Sequence, residues 1–324
     1  MRISRRQVLA SAAAATLTIS GRAFAQAWPQ EIVKVMVPFP PGGSTDIIGR
    51  IVAAHLGKEL GRSVVVENLP GATGSIGVAA VARAKPDGYM LLVTSVGPMV
   101  TNHFAYSNLP YTMDAITPVI QVADAPNVLM VRADLPVNSP QELVAYMKAN
   151  PDKLQHGSSG LASSSHISCE LFKLRTGVTA LHVPYKGGTP MLADLVGGTI
   201  DFSIDQISSS LKLIQAGRIK GLAVTSRERS KQLPQLPTLH ETILPGFVVA
   251  PWFCVGAPAG TPRAVIDRVN ASLNRMLADA GVRERLEAGG MVPVGGSPED
   301  LAALIKREAA FMQEIAARVN LKAT

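Results

Sequence analysis

Ile32-Val33-Lys34-Val35-Met36-Val37-Pro38-Phe39-Pro40-Pro41-Gly42-Gly43-Ser44-Thr45-Asp46 decides the fold. An apolar run rich in β-branched residues ends in a proline-glycine turn, and a helix-period segment follows. Thr45–Leu60 reads as that helix, with Ile47, Ile48, Ile51, Val52, Leu56 and Leu60 on one face and Gly61 as its stop. The same rhythm repeats at once. Val64–Glu67 reads as a second strand, Gly74–Ala84 as a small-residue helix closed before Pro86, and Tyr89–Thr94 as a third strand. Three strands separated by two helices argue an α/β chain with a parallel sheet.

The alternation restarts after Pro126. Val128–Val131, Leu154–His156, Thr179–Val183, Ile200–Ile204, Gly221–Val224 and Val248–Val255 are strand candidates. Helices are expected from Ser139-Pro140-Gln141-Glu142, over Ser164–Leu174 and near Pro190–Val196. Thr261-Pro262 and Ser297-Pro298-Glu299-Asp300 open the last ones. Two doubly wound halves are the expected architecture, and 324 residues suit about two domains.

Composition narrows the function classes. The chain is 47% hydrophobic and 17% charged, which describes a folded α/β chain and not a disordered one. The formal charge of +7 is uneven. Residues 1–25 hold Arg2, Arg5, Arg6 and Arg22 and no acid, so the remainder carries 27 basic and 24 acidic residues, a net +3. No dense basic stripe follows, and nucleic acid is not an expected partner. Ser4-Arg5-Arg6-Gln7-Val8-Leu9, the uncharged Gln7–Gly21 stretch and Ala23-Phe24-Ala25 read as a cleaved signal peptide with a twin-arginine pattern. The mature protein is expected in the periplasm. Cys169 and Cys254 have no disulfide framework around them and are expected as buried thiols.

Three glycine-rich strand-to-helix turns carry the functional signal: Pro38–Asp46, Gly157–Ser163 and Val183–Thr189. Glycine lets a ligand approach the backbone, and the helix start offers free N–H groups and partial positive charge. Such turns suit a carboxylate or phosphate. A plain loop capped by Ser44 or Thr45 is the alternative for the first. Lys186 is the only formal cation in the three segments. Asp205 ends a strand and reads equally as a ligand contact or a helix cap. His182 reads as a hydrogen-bonded strand residue. Enzyme motifs are weak. Gly71–Gly77 is GxxGxxG and not a dinucleotide fingerprint, and neither a phosphate-binding GxxxxGK[ST] loop nor a GxSxG elbow is present. His166 and Cys169 stand three apart without a second pair, so no metal is expected.

Together these segments resemble the exported substrate-binding proteins of tripartite tricarboxylate transporters, the Bug-type receptors. The resemblance is carried by Val37–Gly43 with Thr45-Asp46, Val64–Asn68 with Pro70-Gly71-Ala72, and Lys85-Pro86-Asp87-Gly88-Tyr89. Gly157-Ser158, His166, His182–Gly187, Asp194-Leu195 and Ala257–Pro262 continue it in order. Met113-Asp114-Ala115-Ile116 and His240–Ile243 depart from the usual family pattern. The resemblance implies a type II periplasmic-binding-protein fold whose two domains are joined by two hinge strands. Domain one would hold residues 26–124 and 255–324, and domain two residues 125–254. It implies no catalysis, no cofactor and a monomer that traps a small carboxylate for membrane transporter subunits or a sensor kinase. Phe39, Pro41, Gly42, Gly43, Ser44, Thr45, Ser158, Ser159, Tyr185 and Asp205 are the implied ligand contacts, with residues 94–99 at the pocket edge.

Overall fold

A computed structural model describes residues 28–161 and 163–317 of the chain. The signal-peptide reading over residues 1–25 lies outside them. Eleven strands among the described residues form two sheets, one of six strands and one of five.

The first sheet has the order β11-β4-β10-β3-β1-β2. Its strands are β1 (Val33–Val37), β2 (Val64–Asn68), β3 (Met90–Ser95), β4 (Ile116–Asp124), β10 (Trp252–Pro258) and β11 (Val292–Pro293). Helix α1 (Ser44–Leu60) joins β1 to β2 and α2 (Ser75–Ala82) precedes β3. The short α3 is Asn102–Ala105. The second sheet has the order β7-β6-β8-β5-β9. It comprises β5 (Asn127–Arg132), β6 (Gln155–Ser158), β7 (Leu181–Pro184), β8 (Phe202–Gln206) and β9 (Ile219–Val224). Four helices alternate with these strands: α4 (Pro140–Ala149), α5 (Ser164–Thr176), α6 (Gly188–Gly197) and α7 (Ile207–Gln215). The chain then returns to the first sheet and adds α8 (Arg263–Ala278), α9 (Ala280–Ala288) and α10 (Pro298–Ala316). This is a two-domain type II periplasmic-binding-protein fold.

The expected parallel pairing holds for β2-β1-β3 and for β7-β6-β8. Both sheets are nevertheless mixed. β10 runs antiparallel to β3 and β4, and β5 antiparallel to β8 and β9. These are the strands beside the crossings between domains. A strand that enters a sheet from the other domain need not share the direction set by the sheet's own crossovers.

The two crossings lie side by side. Ala125 N–H donates to the Pro251 carbonyl at 2.7 Å. The Thr225 hydroxyl joins them, at 2.6 Å from the Val249 carbonyl and 3.2 Å from that of Asn127. The strand expected at Val248–Val255 starts only at Trp252, because Val249 N–H is spent on the Thr225 carbonyl. All of β10 then belongs to the first sheet. Trp252, Phe253 and Cys254 pair with Asp124, Ala123 and Gln121, so the 254/255 boundary falls inside a strand of domain one.

The α1 face shows why the sheet is covered. Ile48, Val52 and Leu56 are fully buried on β1 and β3, and Ile51 flanks them. Each such side chain contributes about 1.5–3 kcal/mol. Ile47, expected on that face, is 42% exposed. Its neighbours Thr45, Asp46 and Ile48 are buried, and Ile47 turns instead into a cavity lined by both domains. Cys169 and Cys254 are both free and buried, and the Cys169 sulfur accepts the Ile204 N–H at 3.3 Å.

Candidate binding cleft

The turn after β1 is held open by one buried carboxylate. Asp46 Oδ2 accepts the Gly42 N–H at 2.9 Å and the Arg50 Nε–H at 2.9 Å, while Oδ1 accepts from Asn68 at 2.9 Å. The Asn68 amide also donates to the Phe39 carbonyl at 3.0 Å. Burial alone would raise the Asp46 carboxyl. Hydrogen bonds from Arg50, Gly42 and Asn68 outweigh it and hold the group below its ordinary value. Gly42 has φ +88°, a left-handed conformation that suits glycine. Gly43 occupies the cap position of α1 and no side chain caps the helix. Neither Ser44 nor Thr45 takes that role. The first N–H groups of α1 are therefore without intrahelical partners and open toward the cleft.

The turn after β6 is made differently. Ser159 N–H donates to Ser165 Oγ at 2.8 Å and Gly160 N–H to Ser158 Oγ at 3.3 Å. Ser163 caps α5 by accepting the His166 N–H at 3.3 Å. Its own hydroxyl donates to the Gly160 carbonyl at 2.6 Å. Backbone donors are spent within the turn, and its hydroxyls are tied together as well, Ser159 Oγ lying 2.8 Å from Ser165 Oγ.

Behind this turn three imidazoles stack. His182 lies between His166, at 4.1 Å between ring centroids, and His156, at 4.8 Å. His182 Nε2 and Ser158 Oγ are 2.6 Å apart. Burial pushes His166 down to about 4 and His182 down to about 3, so the stack is neutral at ordinary pH. Glu170 closes the group. Burial would raise it, but hydrogen bonds to His156 and Lys173 hold it at about 2. Depressed histidines contribute stability above their unfolded value near ~6.5 that is lost as pH falls through their folded values.

The two turns wall a cavity of about 420 Å³ between the sheets. Phe39, Pro41, Gly43, Ser44 and Thr45 line it from the first domain, and Ser159 and Asp205 from the second. Three expected contacts do not reach this wall. Gly42 turns its N–H onto Asp46. Ser158 is fully buried with its hydroxyl on His182. The Tyr185 hydroxyl donates to Asp194 at 2.7 Å instead of reaching inward. Ser95–Pro98 edge the cavity, as the segment 94–99 suggested. Ser163 and Thr189 were read only as the ends of two functional turns, and Thr73, Ser164, Gln206 and Ser209 were not read from sequence. The signal for Gln206 was its place beside Asp205 at a strand's carboxyl end, where open α/β sheets bind ligands.

Among the described residues no lysine or arginine lines this cavity, and Asp205 is its only ionisable side chain. Lys186 is exposed and stays outside it. Asp205 is 4% exposed, and burial pushes it up to about 6. The Ser209 hydroxyl donates to its Oδ2 at 3.1 Å. Gly188 stands against that same oxygen, which leaves 3.1 Å to any Cβ placed there. Ser44 spans the cleft, with its hydroxyl 3.3 Å from Gln206 Oε1 and from Ser208 Oγ. No group of three metal-ligating side chains that could hold an ion occurs among the described residues.

The model of the tripartite tricarboxylate transporter family receptor matches residues 48–321. The chain belongs to this receptor family. It is 36% identical over 312 residues to protein BugT of Bordetella pertussis, covering 94% of this chain and 96% of that one. The solved structure of Rpa4515 of R. palustris with adipate superposes with a TM-score of 0.83 at 39% identity, covering 90% of this chain and 97% of the other. MatC (Rpa3494) of Rhodopseudomonas palustris with bound malate gives a TM-score of 0.79 at 32% identity, covering 89% and 100%. The receptor family is one of solute-binding proteins, and the solved structure of the periplasmic binding protein BugD superposes with a TM-score of 0.80 at 36% identity, covering 91% and 100%.

Proposed function

We propose that this protein is an exported receptor that captures a small carboxylate in the cavity between its domains and delivers it to the membrane subunits of a tripartite transporter. One observation carries the reading. The uncapped start of α1, at Gly43, faces a cavity that no lysine or arginine lines among the described residues. An anion there is held by backbone N–H groups and hydroxyls, which suits a group with two acceptor oxygens. The adipate and malate bound to the two relatives support the same class of ligand. Residues 1–25 would direct export by the twin-arginine route. Residues 26–124 with 255–324, and residues 125–254, would move as two bodies about the paired crossings, with Trp252–Cys254 travelling with the first. Closure then requires that the ligand bind the closed arrangement better than the open one.

A thermal-shift panel of mono- and dicarboxylates against neutral sugars tests this. A ligand at 100 times its Kd stabilises the fold by about 2.7 kcal/mol, which moves the midpoint measurably. Carboxylates are expected to raise it and sugars are not. A shift with sugars and none with acids contradicts the reading.

A further inference from the structure

A second cavity, of about 600 Å³, lies behind the first. The two meet at Gly43, Ser44, Thr189 and Ser209, which line both. The rear space has a different chemistry. Ile47, Leu192, Leu213 and Met291 give it apolar walls. This explains the exposed Ile47 on α1: it is not a failed core residue but the wall of a seam between the domains. Two arginines stand in the lining, one from each domain. Arg285 is on α9, and Arg218 follows the end of α7. Among the described residues neither guanidinium has an ion-pair partner.

We propose that the rear cavity is a second compartment of the cleft, which takes the chain and distal carboxylate of an elongated α,ω-dicarboxylate, with Arg218 and Arg285 as its distal anchors. This rests on the front cavity holding the first carboxylate. The front cavity supplies hydrogen bonds without a cationic side chain among the described residues, and the rear one supplies apolar surface followed by two exposed arginines. That sequence of surroundings matches a molecule with an apolar middle and an anionic group at each end. Gly43 leaves room at the junction, where the nearest atom to a Cβ placed on it is the Pro40 carbonyl oxygen at 3.9 Å. The Ser44 hydroxyl, 3.3 Å from Gln206 Oε1 and Ser208 Oγ, is the contact that a chain passing between the two spaces displaces. A short acid would fill only the front. A long monoacid would gain from the apolar walls but leave both arginines without a partner.

The test is calorimetry of the mature protein with succinate, adipate, suberate and sebacate, with octanoate as the monoacid control. The double variant Arg218→Gln/Arg285→Gln is measured beside it. Affinity is expected to rise roughly tenfold or more from succinate to sebacate, as charge-assisted contacts and buried methylenes are added. The double variant should lose that rise for the diacids and bind succinate as the parent does, since succinate is too short to reach the arginines. Octanoate should be insensitive to the two substitutions. A flat series with succinate binding intact overturns the second compartment and leaves the front site standing. A rise that survives in the double variant overturns the role of the arginines. If no acid of any length binds, the front-site reading falls and this one with it.

Discussion

The two turns that face each other across the cleft solve one problem by opposite means. The Phe39–Thr45 turn keeps its helix start bare and commits a buried carboxylate, Asp46, to fixing the loop from behind. The Ser158–Ser164 turn consumes its backbone donors internally and reaches the cavity through the side chains of Ser159, Ser163 and Ser164, backed by the neutral stack of His156, His182 and His166. The first supplies an oriented backbone dipole that no side-chain change can easily replace. The second supplies replaceable side-chain donors. Of these two turns only the first brings a bare helix start; the second domain's own is that of α6, whose Gly187 and Gly188 also line the cavity.

Substitutions at the two turns should separate accordingly. Gly43→Val is expected to have the largest effect. Its φ of −81° and ψ of 171° are open to valine, so the fold should survive. The side chain would occupy the space in front of the α1 N–H groups. Calorimetry should show a loss of roughly 100-fold in carboxylate affinity, about 2.7 kcal/mol. Parent-like affinity would break the claim that the bare helix start does the holding.

Asp205→Asn comes next and acts through pH. Burial raises Asp205 to about 6, so the folded protein holds a proton that the unfolded chain releases between ~4 and that value. This contribution is complete below ~4 and is lost as pH rises through the folded value. Above that range the carboxylate repels an anion in the same cavity. Affinity relative to the asparagine variant should therefore rise roughly tenfold as pH falls from 8 to 5. A ratio that stays constant across that range would remove Asp205 from the ligand's surroundings.

Ser159→Ala should cost least of the three, about fivefold or ~1 kcal/mol, as a single neutral hydrogen bond does. Tyr185→Phe, by contrast, should leave calorimetric affinity unchanged, because that hydroxyl serves Asp194. A larger loss at Tyr185 than at Ser159 would reverse the assignment of these two residues.

Much of this was legible from the chain itself. The strand-turn-helix order was, because apolar runs punctuated by proline and glycine have few other uses. The first turn was legible as a strand-to-helix turn, but not that Gly42 would serve Asp46 while Gly43 lines the cavity. Helix α7 was not, since Ile207-Ser208-Ser209-Ser210 reads as loop, and Ser209 went with it. The histidine stack carries no local signal. His156 and His182 meet only because β6 and β7 pair in parallel register, and α5 then brings His166 onto them. Ile47 was misassigned because it stands at the margin of the apolar stripe, on the side that faces the other domain and not the sheet. Tyr185 was misassigned because a turn position does not show which way a long side chain reaches.

The central claim is that backbone N–H groups at the start of α1 hold the ligand's carboxylate. Titrating adipate into ¹⁵N-labelled protein and following the Ser44 and Thr45 amides tests it most directly. Both amide protons should move strongly downfield and saturate together with the calorimetric isotherm. Unmoved Ser44 and Thr45 amides, with saturating shifts confined to Lys186 or other surface cations, would contradict the account.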